Sequence, residues 1–552
     1  MSGCFLPMSL QEAKKNGWNE LDIILVTGDA YIDHPSFGAA IIGRVLESAG
    51  FSVGIIAQPN WHSANDFKKL GRPRLFFGIT AGNLDSMVTN YTAACKKRRT
   101  DLYSPNGQSG FRPDMASIVY ANRCREAFSG IPIILGGLEA SLRRFAQYDY
   151  WKDRVKRSIL LDAKADILIY GNGEKQIIEI AQRLSKGEHI SQIHDIPGTV
   201  VRVKTAPKDA IYLPSEHEVF TNKTKYAEMF QLLMHTGDKT VIQPIEHGFI
   251  LQNNRPLYTE TDLDSYFQLP FQRKQHPSYQ QLIPGFATVQ CSLISHRGCM
   301  GGCAFCAIYF HEGKQVVSRS PQSILQEAEK ICNMDYFHGT IANVGGPTAN
   351  MYGMKCKING CSHRMSCLYP KICKNLNVDH GPWIQLLNSV RNLKKIKHVF
   401  VESGIRHDLL LADKIEHLEQ FCKYYVGGQL KTAPEHSSEK VLSYMQKPSY
   451  ELHRQFTKKF QEISQKIGKK QYIIPYLMSS HPGSQMKDAI ALANEIKKLG
   501  HSPQQVQDFT PTPMTLSTCM YYTGIDPRTM KPVYVAKNMK EKKAQRALLN
   551  KI

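Results

Sequence analysis

Asp22-Ile-Ile-Leu-Val-Thr-Gly-Asp-Ala-Tyr-Ile-Asp-His-Pro-Ser-Phe-Gly38 decides the architecture of the first half of the chain. Ile23 to Val26 read as an apolar strand, the turn after them is punctuated by Gly28 and Gly38, and a helix is expected near Ala39 to Ala49. Gly50 then leads into a second strand, Val53 to Ala57. Strand, helix and strand at this spacing argue a parallel βαβ unit. Further strands are expected at Leu75 to Ile79, Pro132 to Leu135 and Ile167 to Tyr170, with a helix at Met115 to Phe128. Residues 1–205 thus form a doubly wound α/β domain on a parallel sheet, whose ligand crevice lies at the carboxyl ends of the strands.

Residues 206–284 are mixed in pattern, with loop signals at Asn253-Asn-Arg-Pro256 and His276-Pro-Ser-Tyr279, and read as a connecting segment. A new series starts past Gly285. Strands are expected at Thr288 to Leu293, Thr340 to Val344, His398 to Glu402, Gly428 to Thr432 and Gln471 to Leu477, with a helix at Gln322 to Asn333. Repeated βα units suggest a partial (β/α) barrel over 285–530, interrupted by a cysteine-rich insertion at 354–380. Residues 531–552 are a basic end, helix or loose tail.

At 552 residues the chain is long enough for two or three cores. Apolar residues make up 42% and charged residues 21%, so disorder is not the default. Met1 to Leu10 lack the apolar core of a secretory signal, and the run Ile131 to Leu138 is far too short to span a membrane. A cytoplasmic protein with no membrane partner is expected. The formal charge of +21 can attract nucleic acid, acidic proteins or anionic metabolites. Dense runs at Lys96 to Arg99, Lys394 to Lys397 and Lys537 to Arg546 also suit solvated faces, and no recognisable RNA-binding module accompanies them.

Fourteen cysteines without an export signal point to reduced or metal-held thiols. Three fall in Cys299-Met-Gly-Gly-Cys303-Ala-Phe-Cys306. Four thiolates usually hold a protein iron-sulfur cluster, so a compact set of three leaves one metal corner without a protein ligand. A helical stripe of small buried cysteines is the bland alternative, but Gly298, Gly301 and Gly302 would weaken a helix while letting a loop curl around a bulky ligand. A structural zinc would want a fourth Cys or His, usually in two separated pairs.

The motif Cys299, Cys303, Phe305, Cys306 resembles the signature of the radical S-adenosylmethionine (SAM) superfamily. The segments Asp22 to Gly38, Pro73 to Asn83, Gly136 to Ser141 and Leu430-Lys-Thr-Ala-Pro-Glu-His436 resemble the YgiQ family within it. This resemblance implies a 4Fe-4S cluster on Cys299, Cys303 and Cys306, with SAM chelated by the open iron and Phe305 against its adenine. Reductive cleavage of SAM would give methionine and a 5′-deoxyadenosyl radical acting on a substrate the family does not reveal. An electron donor such as a flavodoxin or ferredoxin is implied as well.

Radical SAM proteins commonly place a Gly-Gly-Glu segment against the SAM amino group, and here Asn343-Val-Gly-Gly-Pro347 has proline in place of the acid. The carbonyls of Gly345 and Gly346 are then candidate acceptors, and Glu402 and Glu435 candidate carboxylates; capping or surface roles suit both acids equally. Arg319 either meets a carboxylate or anchors the helix start at Ser320-Pro321. The resemblance also suggests a cobalamin-binding-like N-terminal domain, which draws attention to His34. Its loop lacks the usual spacing, so a structural or substrate-facing histidine fits better, although some such domains bind cobalamin without one.

Cys356, Cys361, Cys367 and Cys373 lie within eighteen residues, with His363 among them. They suit a second Fe-S cluster or a zinc site, and spacing does not choose between them. Two other functions stay open at this point: modification of RNA by the same chemistry, and a non-catalytic Fe-S regulatory protein.

Overall fold

Residues 4–237, 239–358, 361, 364–498 and 505–550 are described by a computed structural model. Two units emerge, one of residues 1–257 and 265–290, the other of residues 258–264 and 291–552.

The first unit is built on the βαβ stretch that opens the chain. Strand β1 (Ile23–Thr27) is wholly buried, and helix α1 (Gly38–Ser48) carries the chain back to β2 (Val53–Ala57). Next come β3 (Phe76–Thr80), helix α2 (Ala116–Ala127), β4 (Ile133–Leu135) and β5 (Ile167–Ile169). These strands pair in parallel in the order β2-β1-β3-β4-β5, which places the topological switch between β1 and β3.

Helix α3 (Glu174–Ser185) leads to β6 (Thr199–Val203), which turns antiparallel on β5. The expected connecting segment 206–284 is corrected here. Strands β7 (Ile211–Tyr212), β8 (Val241–Ile245) and β9 (Gly248–Gln252) extend the sheet to nine strands, β9 lying antiparallel between β6 and β8. Most of that segment is thus part of the first unit, and residues 258–264 belong to the second.

The second unit begins with β10 (Ser292–Ile294) after a short helix, Pro284–Val289, that stands where the sequence suggested a strand. Helix α4 (Ala307–Glu312) closes the cysteine loop, and α5 (Pro321–Cys332) leads to β11 (Thr340–Ile341) and β12 (Asn343–Gly345). The insertion is clipped by an antiparallel pair, β13 (Lys355–Cys356) and β14 (Leu376–Asn377). Helix α6 (Gly381–Arg391), β15 (His398–Val399), α7 (His407–Leu411) and α8 (Ile415–Tyr424) precede β16 (Gln429–Glu435). The unit continues through α9 (Tyr450–Lys466), β17 (Tyr472–Ser479), α10 (Met486–Lys497) and β18 (Gln505–Asp508), then α11 (Met539–Asn550).

Parallel pairing runs from β10 to β12, from β11 to β15, and through β16, β17 and β18. A single parallel bridge links Ile405, beyond the end of β15, to Thr432 of β16. With β11 and β12 taken as one interrupted strand, this is an open six-stranded arc, the partial barrel the sequence suggested. Leu293, Ile324, Val344, Trp383, Leu430 and Phe456 are buried in one core between its strands and helices. The basic end is helical from Met539 and packs on α10, so it is no loose tail. Among the described residues no helix is long and apolar enough to cross a membrane.

Candidate metal centre

Cys299, Cys303 and Cys306 follow β10, at the carboxyl end of the first barrel strand, and their loop depends on its glycines. Gly298 has φ +82°, and a Cβ there would stand 1.8 Å from the Gln315 carbonyl oxygen. Gly302 has φ +63°, and its Cβ would stand 2.7 Å from Ser366 Cβ. Gly301 lies among the sulfurs: a Cβ would be 3.3 Å from Cys299 Sγ and 3.8 Å from Cys303 Sγ. Only a residue without a side chain threads this loop.

Cys299 is buried, and Cys303 and Cys306 are half-buried. Burial pushes the Cys299 thiol up, and burial followed by the neighbouring Cys303 and Cys299 pushes Cys306 up to about 12. Around them stand groups that favour negative sulfur. The Gly301 N–H donates to Cys299 Sγ at 3.4 Å, Thr348 Oγ1 lies 3.5 Å from the same sulfur, and Arg406 Nη1 lies 3.8 Å from Cys303 Sγ. Free thiols would leave these donors with weak acceptors, whereas metal-bound thiolates give them charge.

The spread of the sulfurs bears on which metal fits. One tetrahedral zinc holds its sulfurs about 3.8 Å apart, from a Zn–S bond of about 2.3 Å. Among the described residues the three sulfurs do not all lie within 4.8 Å of one another. The donor set fits a polynuclear iron-sulfur cluster rather than one ion.

Arg406 was missed in the sequence, although it stands four residues beyond Glu402. It is buried, and its Nε and Nη2 donate to Asp408 at 2.8 and 2.7 Å. Burial works against the Asp408 charge, but Arg406 holds its carboxyl well below the usual carboxylate range. The Arg406 backbone is gripped on both sides by Asn350, whose Oδ1 accepts from its N–H at 2.8 Å and whose Nδ2 donates to its carbonyl at 3.0 Å. Behind Asn350, His380 Nε2 lies 3.0 Å from Nδ2, and His380 Nδ1 lies 2.7 Å from Asp413 Oδ2. His417 Nδ1 lies 2.7 Å from that same oxygen. Asp379, Asp413 and His417 are the one set of three acidic, histidine or cysteine groups, among the described residues, with ligand atoms within 4.8 Å of one another. Asp413 also accepts the His380 N–H at 2.9 Å, so the set reads as a brace for Arg406.

The other sequence candidates divide. The Gly345 carbonyl accepts from Ser295 N–H at 2.7 Å and Ser295 Oγ at 3.2 Å, contacts that hold β12 to the end of the first strand. Gly346 lies against His296, where a Cβ would be 2.7 Å from the ring. Glu402 is exposed in the loop beyond β15, its N–H donating to Asn343 Oδ1 at 3.0 Å. Glu435 is buried at the end of β16 with φ +68°. Burial raises its pKa against the opposing pull of Lys447, whose Nζ is 4.0 Å away, and Arg406. Phe305 meets the ring of His481 edge-on at 6.1 Å. His481 in turn is fixed by Ser517 Oγ at 2.7 Å from Nε2 and the Pro482 carbonyl at 2.8 Å from Nδ1.

Arg319 lies outside the site. It is buried and bonds Glu327, Ser323 and the Ile294 carbonyl, while Ser320 caps α5 by accepting the Ser323 N–H at 3.2 Å. It therefore meets a carboxylate in the course of anchoring the helix start.

In the first unit, His34 is buried and its Nδ1 accepts the Ser36 N–H at 3.1 Å, so it serves a local turn. Burial pushes its pKa well down. At the switch between β1 and β3 the crevice is filled by Arg112, which donates to Asp29 at 2.7 Å and to Asp101 at 3.1 Å. A Cβ on Gly82 would strike Asp29 Oδ1 at 2.1 Å. Arg112 and its two carboxylates occupy this end of the strands, and no step below uses a cobalamin.

Comparison with known proteins gives a consistent picture. The family described as Radical SAM N-terminal matches residues 5–292, and one described as a domain of unknown function (DUF3362) matches 504–551. A UPF0313 protein of Methanosarcina acetivorans is 50% identical over 99% of this chain and 78% of its own length. One from Clostridium botulinum is 51% identical over 99% of this chain and 86% of its own. Among solved structures, the radical SAM methyltransferase TsrM of Kitasatospora setae, with cobalamin and a [4Fe-4S] cluster bound, aligns at TM-score 0.50 and 13% identity. That alignment covers 90% of this chain and 74% of TsrM. The cobalamin-dependent SAM radical enzyme OxsB aligns at TM-score 0.50 and 9% identity, over 90% of this chain and 55% of OxsB. At these identities the likeness is one of fold.

Proposed function

The chain belongs to the UPF0313 family within the radical SAM superfamily, and from that premise we propose that Cys299, Cys303 and Cys306 hold a 4Fe-4S cluster at which SAM is reductively cleaved. When bound, the cluster supplies an electron to the SAM sulfonium, yielding methionine and a 5′-deoxyadenosyl radical that abstracts hydrogen from a substrate. The observation that carries this reading is the glycine-threaded loop, which gathers three thiols beside a guanidinium and leaves them too widely spread for one metal ion.

The chain's own groups divide the remaining work. Arg406, the Gly301 N–H and Thr348 stabilise negative sulfur, and the Asp408 and Asn350 contacts keep Arg406 aimed. Phe305, backed by His481, offers an aromatic wall for the adenine. The SAM amino group has the carbonyl of Gly346 and the open carboxylate of Glu402 as acceptors, while Glu435 is engaged with Lys447. An external donor of low potential, such as a flavodoxin or ferredoxin, completes the requirement.

The test is anaerobic reconstitution with dithionite and SAM, followed by assay for 5′-deoxyadenosine and methionine. Both are expected from the intact chain, and Cys303→Ala should yield neither. Persistence of 5′-deoxyadenosine in that variant would overturn the proposal.

A further inference from the structure

The four cysteines of the insertion remain without a role. The fold brings them together. Cys356 lies in β13, which β14 clamps through the Cys356–Leu376 pair, and the Leu376 N–H donates to the Cys373 carbonyl at 2.9 Å. The Cys373 N–H in turn donates to the Cys367 carbonyl at 2.8 Å. The Cys367 sulfur is within electrostatic reach of the sulfurs of Cys356, Cys373 and Cys361. All four are free thiols, and Cys367 is buried. Lys314 stands at the rim, its Nζ donating to the carbonyls of Cys361 at 3.1 Å and Arg364 at 2.6 Å. It supplies a positive charge where four thiolates would gather. His363 lies outside the described residues.

Zinc is the obvious occupant of four cysteines, and here geometry speaks against it. Four sulfurs on one zinc stand about 3.8 Å apart. In this insertion no three of the sulfurs lie within 4.8 Å of one another. A polynuclear cluster holds its thiolates at separate iron corners and so demands the wider spread. We propose that Cys356, Cys361, Cys367 and Cys373 bind a second iron-sulfur cluster, complete in protein ligands and distinct from the three-cysteine site.

The insertion also forms a wall of that first site. The Cys367 N–H donates to the Met300 carbonyl at 3.0 Å, and Ser366 Oγ donates to the Gly301 carbonyl at 2.6 Å. A cluster in the insertion would therefore stiffen the loop that carries Cys299 and Cys303.

The test separates the two sites. The full chain with Cys299, Cys303 and Cys306 all replaced by Ala is reconstituted anaerobically with iron and sulfide, and iron, zinc and acid-labile sulfide are counted. It is expected to retain about half of the wild-type iron with matching sulfide, if each site holds four irons. An iron-free protein, or one binding zinc without sulfide, would overturn the proposal. Should that variant fail to fold, Cys356→Ser with Cys373→Ser in the otherwise intact chain decides. It should lose about half of the iron and sulfide and keep a spectroscopic signal that responds to SAM. Wild-type iron in it overturns the second cluster and leaves the first site untouched.

Discussion

Both units gather loops at the carboxyl ends of parallel strands, yet they finish those ends in opposite ways. In the first unit Arg112 answers Asp29 and Asp101, and the glycines there make room for the protein's own side chains. In the second, Gly298, Gly301 and Gly302 make room around three thiols, and Arg406 points a charge at sulfur. One end is electrostatically satisfied from within. The other turns N–H donors and a guanidinium, itself held by Asp408, towards three sulfurs. Equivalent places in a parallel sheet thus become core or candidate site according to what their loops carry.

The largest effect that would break this contrast is in the first unit. Arg112→Leu strands two buried carboxylates and should cost about 3–5 kcal/mol in calorimetric unfolding of the full chain. Burial already raises the Asp29 pKa against the pull of Arg112, so acidification should recover part of the loss as Asp29 takes up a proton. Iron content should stay at the wild-type level, and its loss would show that the two ends are not independent. Next comes Gly298→Ala, which adds a cost of at least about 2 kcal/mol from the left-handed backbone and the Gln315 carbonyl. It should abolish iron uptake at the SAM motif, whereas Gly82→Ala should destabilise the first unit and spare iron.

A smaller effect is expected behind the site. Asp413→Asn should cost about 1–3 kcal/mol at neutral pH. Burial opposes the Asp413 charge, but the bonds from His380 and His417 hold its pKa well below the ordinary value. Its stabilisation is thus complete above the unfolded carboxylate value of about 3.9 and lost as pH falls towards the folded one. Urea midpoints measured from pH 7 downwards should lose that acid limb in the variant. The smallest effect is a null one: an excess of aquacobalamin should leave the unfolding midpoint of the full chain unchanged, and a rise would mean that the first crevice opens.

Much of this was legible in the sequence because short apolar strands and glycine turns carry their own punctuation. The five parallel strands of the first unit fall within a residue or so of expectation, and the thiol loop needed its glycines for the reasons given. The failures have physical causes. β8 and β9 form an antiparallel extension carrying Pro244 and Gly248, which break the pattern that marks a buried strand. Thr288 and Val289 look like strand residues, but Pro284 starts a helix through them. The strand expected at His398 to Glu402 stops at Val399 because Asn343 Oδ1 takes the N–H groups of Glu402 and Ser403. Arg406 was illegible because it reaches Cys303 across 103 residues of chain, a contact that no local pattern announces.

Helix α11 carries one more consequence. Gln545 accepts from Ser484 Oγ and donates to the Ser484 carbonyl, both at 3.1 Å, three residues beyond the His481 that backs Phe305. The last helix is thus tied to the loop whose His481 backs Phe305. Proteolytic clipping between Met530 and Met539 should therefore weaken SAM capture before it disturbs iron.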